Sequence, residues 1–272
     1  MTKMKNNVLF LAAVACCIMS VCAASAGTML RFAVISDGHY GESDSVNRDN
    51  GAIVRYLNEH EDSNGKHLDY VFHDGDVTND IPGSSSDVWQ AVKDTLDMLK
   101  APYFCARGNH DMGSSDAQWE SLWGYPPKHD FEQGEYAFVF DDTRNYECPD
   151  PSWLIDRLDH YAGKKQVFVF THIGLKGLST YGNSCPAMTK VLEEHLNVAA
   201  VFHGHDHDPS LGCKLSNGLN YCWVGAIKVR PYYRIVEVDD SGKVYTYQVD
   251  SKTSTILDSD TLKLRILRHS GH

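Results

Sequence analysis

Basic side chains are scarce in this chain: 25 Lys and Arg stand against 36 Asp and Glu, for a formal charge of −11 at pH 7. A surface that acidic is a poor match for a long nucleic-acid backbone, which is held by Lys and Arg displacing counterions. Small phosphate-bearing ligands stay open, because a bound cation can dominate a local field. No Asn-x-Ser/Thr sequon occurs, so the chain offers no N-glycosylation acceptor. Internal repeats and a Pro/Gly/Ser linker are also missing. With 272 residues and 42% hydrophobic content, this predicts one sizeable domain with an ample core.

Long apolar runs are confined to the start. The run from Val8 to about Cys22 follows Lys3 and Lys5 and ends in Ala24-Ser25-Ala26, a small-x-small cleavage signal. It is short for a spanning helix, which needs roughly 20 apolar residues. Residues 1–26 are therefore expected to be a signal peptide, and 27–272 an exported domain, periplasmic or secreted, with no transmembrane segment. A lipoprotein acceptor at Cys16, Cys17 or Cys22 is the weaker reading, since none has a Leu-small-small lead-in. Loss of Lys3 and Lys5 would take the charge from −11 to −13.

Of eight cysteines, five lie beyond the leader: Cys105, Cys148, Cys185, Cys213 and Cys222. In "CKLSNGLNYC" the Asn217-Gly218 pair marks a two-residue hairpin turn. Counting outward places Cys213 opposite Cys222, within reach of a disulfide. Cys148 and Cys185 lie in polar loops, where pairing is an open alternative. Cys105, in "YFCAR", reads as a buried free thiol.

Short apolar runs at 30–36, 70–73, 103–107, 166–170 and 198–203 are rich in Val and Phe, as strands buried on both faces should be. Candidate helices lie near 50–60, 86–100, 116–123, 151–161 and 186–196. The alternation predicts an α/β fold. After residue 208, alternating β-branched and aromatic segments predict an antiparallel run completing a second sheet, then a frayed tail at "RHSGH".

Every one of the five buried runs is followed by polar residues able to bind metal. They are Asp37 and His39; Asp76; Asn109, His110 and Asp111; His172; and His205 and His207. One such cluster alone is weak evidence. Five delivered to the carboxyl edge of an α/β sheet, where sites form, amount to a ligand set.

The ordered pattern D-x-H, G-D, G-N-H-D, H, G-H-x-H, spanning 37–207, resembles the calcineurin-like metallophosphoesterase superfamily. It looks most like the small bacterial cyclic-nucleotide phosphodiesterase-like branch. The resemblance implies a four-layer sandwich of two mixed β-sheets flanked by helices, with a dinuclear metal site at the strand C-terminal edge. It places one ion on Asp37, His39, Asp76 and His207 and the other on Asp76, Asn109, His172 and His205, bridged by Asp76. The mixed N/O set suits Mn, Fe, Zn or Co rather than an all-oxygen calcium site. The implied reaction is in-line attack of a metal-bridging hydroxide on a small phosphate mono- or diester. His110 would stabilise the transition state or protonate the leaving oxygen, with Asp111 ranked behind it. A nuclease or lipid phosphodiesterase of the same superfamily, or a non-catalytic metal-binding protein that keeps the fold, are the alternatives.

Position 79 departs from the pattern. Members often carry Asp there to orient the catalytic histidine, and purple acid phosphatases carry an iron-binding tyrosine; here it is Asn79. A lowered His110 pKa is the expected consequence, unless Asp80 or Asp111 compensates. His73 and His203 are expected to support the ligands from inside their strands, and His60, His67, His129, His160 and His195 to be surface or structural. Tyr40, Tyr125 and Tyr181 are candidates for the rim of the site.

Overall fold

The computed structural model describes residues 28–79 and 86–265. The expected leader, Asp80 and the tail lie outside the described residues. In chain order the elements are β1 (Thr28–Ile35), α1 (Asp44–Glu59), β2 (Tyr70–Asp74), α2 (Ser86–Leu96), β3 (Tyr103–Ala106) and a 3-10 turn at Asn109–Asp111. Then come α3 (Asp116–Trp123), β4 (His129–Gln133), β5 (Tyr136–Phe140), α4 (Ser152–His160), β6 (Gln166–Phe170), α5 (Pro186–Glu194) and β7 (Val198–His203). The chain closes with β8 (Cys213–Ser216), β9 (Leu219–Trp223), β10 (Tyr232–Asp239), β11 (Val244–Asp250) and β12 (Thr255–Thr261).

The strands form two six-stranded mixed sheets, ordered β12-β11-β10-β1-β2-β3 and β4-β5-β6-β7-β9-β8. Period-two geometry explains how each strand serves two layers. In β1, Leu30, Phe32 and Val34 face the other sheet, while Ala33 and Ile35 face the helices. The space between the sheets is filled with phenylalanines: Phe32 meets Phe72 at 5.1 Å, Phe140 meets Phe170 at 4.6 Å, and Phe170 meets Phe202 at 5.2 Å. Each ring fully removed from water stabilises the fold by about 1.5–3 kcal/mol. Ile53, Val54 and Leu57 of α1, with Val92, Leu96 and Trp119, cover the outside of the first sheet. Leu154, Leu158, Met188 and Leu192 of α4 and α5 cover the second. The result is the expected four-layer sandwich.

Sequence and structure part company in three places. Helix α1 starts near residue 44 rather than 50, because Ser43 accepts the Val46 amide and caps it. The hairpin β4–β5 lies in a stretch to which no strand was assigned, and β5 is wholly buried. Strands β10–β12 join the first sheet, not the second: β10 pairs antiparallel with β1, Phe32 opposite Val236. Only β8 and β9 extend the second sheet, with Cys213 opposite Cys222 and Ser216 opposite Leu219 as the turn chemistry requires. Both cysteine pairs are bridged, Cys213–Cys222 and Cys148–Cys185. Cys105 is buried and free.

Candidate metal centre

Five loops leave the carboxyl ends of β1, β2, β3, β6 and β7 and meet above the seam between the sheets. Their backbones are laced together before any side chain is considered. The Asp37 amide donates to the Gly75 carbonyl at 3.0 Å, His39 to Asp76 at 2.9 Å, and Gly204 to His172 at 3.0 Å. The His205 amide donates to the Asp37 carboxylate at 3.0 Å, and the His110 amide to Asp76 Oδ1 at 2.7 Å. Asp37, His39, Asp76, His205 and His207 all adopt positive φ, between 42° and 67°. Such backbone costs roughly 1–2 kcal/mol per non-glycine residue and collects where function requires it.

The lacing brings the predicted side chains into two overlapping groups. Asp37, His39, Asp76 and His207 form one, and Asp76, His172 and His205 the other; within each group the donor atoms lie within 4.8 Å of one another. His39 Nε2, Asp76 Oδ2, Asn109 Oδ1, His172 Nε2 and His205 Nε2 are buried without a well-directed hydrogen bond, although His172 Nε2 comes within 3.1 Å of Asp76 Oδ2 and His39 Nε2 within 3.4 Å. A fold does not ordinarily strand five buried polar atoms together.

Tautomers point the same way. His172 Nδ1 lies 2.7 Å from the Asp74 carbonyl, which can only accept, so Nδ1 carries the hydrogen and Nε2 faces the centre. His39 Nδ1 lies 3.1 Å from Asn79 Oδ1, with the same consequence. Burial alone would lower both imidazole pKa values. The Asp37 and Asp76 carboxylates outweigh it and carry His39 up to about 9 and His172 to about 10. In return, against the burial that would raise them, the histidines hold Asp37 and Asp76 below the usual carboxylate range. Carboxylates that retain protons on their neighbours this strongly would retain a divalent cation in their place.

Asn79 thus braces His39, not His110 as the sequence reading had it. His110 is half-buried, its ring 4.4 Å from that of His39. Its pKa is indeed lowered, but burial is the leading cause rather than a weak partner at position 79. Asp111 is fully buried and accepts from the amides of Gly108 (2.8 Å), Val77 (3.2 Å) and Thr78 (2.9 Å) and from the Thr78 hydroxyl. It fastens the β2 and β3 loops together and is a positioning residue. His203 supports the floor as expected: its Nδ1 lies 2.9 Å from both the Thr171 hydroxyl and carbonyl oxygens. His73 is buried with both ring nitrogens unpartnered, and burial holds it down to about 3, hence neutral.

Gly75 and Gly204 are among the glycines required by proximity. A Cβ on Gly75, at φ 90°, would lie 2.5 Å from His172 Nδ1. One on Gly204 would run into Ser36 Oγ and lie 2.6 Å from Asp37 Oδ2, so Gly204 serves close approach rather than an unusual turn.

Of the proposed rim tyrosines, only Tyr181 reaches the centre, its ring 6.4 Å from that of His205. Tyr40 packs against the helix layer, and the Tyr125 hydroxyl accepts the Cys105 amide inside the domain. Sequence reasoning missed Tyr146, whose ring lies 5.4 Å from His205. Its signal was its place after the buried "YAFVF" run. Asp206, between the two histidines, ties the loop: it accepts the Tyr181 amide and the Trp223 indole N–H. His60 and His129 are structural, bonded to Arg31 and stacked on Phe140.

The family model for calcineurin-like phosphoesterases matches residues 30–209. No curated protein matches the sequence. Among solved structures, a dimetal phosphatase from Danio rerio is 12% identical with a TM-score of 0.64, covering 88% of this chain and 100% of its own. GAP50, the anchor in the inner membrane complex of Plasmodium, is 15% identical with a TM-score of 0.70, over 89% and 91% of the two chains. The purple acid phosphatase PPD1 of yellow lupin is 13% identical with a TM-score of 0.64, over 86% of this chain and 53% of its own. At such identities the likeness is one of fold.

Proposed function

The chain belongs to the calcineurin-like phosphoesterase family and is a metal-dependent phosphoesterase; from that premise we propose that it is an exported hydrolase of small phosphate mono- or diesters using two metal ions. The observation that carries the reading is the set of buried donor atoms, without well-directed hydrogen bonds, gathered around Asp76. In this reading Asp37, His39, Asp76 and His207 hold one ion. Asp76, Asn109, His172 and His205 hold the other, and Mn, Fe or Zn suits such a mixed set. When bound, the pair supplies a nucleophilic water at neutral pH and neutralises the phosphoryl oxygens.

The protein's own groups do the rest. The Asp37 carboxylate fixes the His205 loop by accepting the His205 amide, while Asp74 and Asn79 orient His172 and His39. His110 stands beside His39 at the half-open mouth, where it can give a proton to the leaving oxygen. Asp111 holds the two loops that carry Asp76 and His110 in register. Export is supported by the leader-like start and by two disulfides, which persist in oxidising compartments. Among the described residues no helix is long and apolar enough to cross a membrane.

The test is metal analysis of the full chain after loading with Mn, Fe or Zn, followed by phosphate release from a panel of mono- and diesters. About two ions per chain with turnover, abolished in Asp76→Asn, is the expected result. Two tightly held ions without turnover on any ester would instead leave the fold as a binding scaffold.

A further inference from the structure

We propose that Tyr146 and Tyr181 form an aromatic grip for the organic part of the ester, so that the site favours substrates carrying a planar ring. This rests on the phosphoesterase reading and adds to it the class of leaving group.

The two rings approach His205 edge-on, at 5.4 and 6.4 Å with interplanar angles of 66° and 86°. Both are exposed, 60% for Tyr146 and 62% for Tyr181. Their loops are nevertheless held. Asn183 Nδ2 donates to the Tyr146 carbonyl at 2.9 Å, and the Tyr181 amide donates to Asp206 at 3.1 Å. The Cys148–Cys185 bridge ties the Tyr146 loop to the segment that carries Tyr181. Two large rings are thus kept in water, on fixed backbone, beside one ligand of an otherwise polar centre.

Two cations of this region are already paired. Arg144 is engaged by Asp116 and Asp142, and Lys228 by Glu42 at 2.6 Å. A flat neutral ring bound at the metal centre would stack on exposed tyrosines and bury them. A sugar or glycerol moiety would not. Nucleobases and simple aryl groups share that chemistry, and the arms of the test separate them.

The experiment compares ester pairs that differ in the ring: adenosine 5'-monophosphate against ribose 5-phosphate, and phenyl phosphate against glycerol phosphate, each also as its methyl diester. The full metal-loaded chain is assayed as wild type, Tyr146→Ala, Tyr181→Ala and the ring-keeping Tyr146→Phe and Tyr181→Phe. Each alanine variant should lower the preference, taken as the ratio of kcat/KM values within a pair, by about fivefold or more, the low end of stacking on an aromatic side chain. The phenylalanine variants should keep it. A drop with the adenosine pair alone assigns a nucleoside, and a drop with both pairs assigns any planar ring. If wild type hydrolyses the esters with no preference for a ring, or the alanine variants leave the ratio unchanged, the grip is overturned and the phosphoesterase reading stands. If wild type turns over none of them, both fall together.

Discussion

Replacing Gly75 with alanine tests how tightly the scaffold fixes the centre. The added Cβ would lie 2.5 Å from His172 Nδ1 and 2.6 Å from its Cβ and Cγ, where ordinary contact begins at 3.4 Å. The ring must retreat by about 1 Å. Doing so stretches its 2.7 Å bond to the Asp74 carbonyl beyond hydrogen-bonding range. A Cβ at φ 90° adds roughly 1–2 kcal/mol of backbone strain, and the lost buried bond about 1–3 kcal/mol. The fold should survive, destabilised by about 2–5 kcal/mol. The chemistry should suffer more: a 1 Å misplacement costs on the order of 10²-fold in rate. Loss of the bond that orients a metal-ligating imidazole costs roughly 10- to 100-fold in metal affinity. Metal content, kcat and Tm should be measured beside Gly51→Ala, whose Cβ meets only Arg55 Nη1 at 3.9 Å within α1. That control should gain about 0.5–1 kcal/mol. A Gly75→Ala protein that keeps two ions and wild-type kcat would mean that the close approach of Gly75 does not set the His172 ring.

Four further outcomes are expected. Asn79→Asp should change metal affinity through His39 while leaving the His110 limb of the pH–rate profile in place; a shifted limb with unchanged affinity would restore the pairing read from sequence. Metal binding at pH 7 should release about two protons, from His39 and His172, so apparent affinity rises with pH up to about 9–10; calorimetry in buffers of different ionisation enthalpy reads this directly. Burial holds His129 down to about 4. Since the unfolded chain binds the proton first, stability should fall as pH drops from 6.5 toward 4, by about 2 kcal/mol at pH 5 for this group. Urea midpoints at pH 7 and 5 should show the fall, and His129→Phe should reduce it by about that amount, the other buried histidines keeping the remainder. Reducing Cys148–Cys185, whose cysteines are 37 residues apart, should cost about 4 kcal/mol against about 3 kcal/mol for Cys213–Cys222, 9 apart. Single Cys-pair variants compared in chemical denaturation would reverse that order if local strain rather than loop closure governs.

Residues that act through local chemistry were legible in sequence. Asn217-Gly218 set the β8–β9 register to the residue, and each buried run announced a ligand at its end. What depended on distant pairing was not. Nothing in "YYRIVEVDD" says that it will lie beside "LRFAVIS" rather than beside β9, because both edges accept the same β-branched pattern. Strand β5 went unread although continuously apolar, since no motif follows it, and Tyr146 went unread with it. The positive φ of Asp37, His39, Asp76, His205 and His207 has only a weak residue-level signal: Asp and His are enriched there among non-glycine residues, but most Asp and His in a chain are not in that region. Asn79 illustrates the limit of resemblance: its position was recognised, but the ring it bonds is a matter of ångströms.

The placement of β10 against β1 governs how the molecule is made. The first strand of the domain finds one neighbour in β2, while the other, paired from Arg234 to Asp239, is among the last segments synthesised. Until then β1 presents an open edge with Leu30, Phe32 and Val34 on one face and Ala33 and Ile35 on the other. Closing it requires joining ends of the chain some 200 residues apart, the kind of long-range step that slows folding. The nascent chain therefore cannot lock its N-terminal half early; it remains unlatched until β10 is available, and a truncation before Tyr232 would leave a sticky half-sheet rather than a smaller protein.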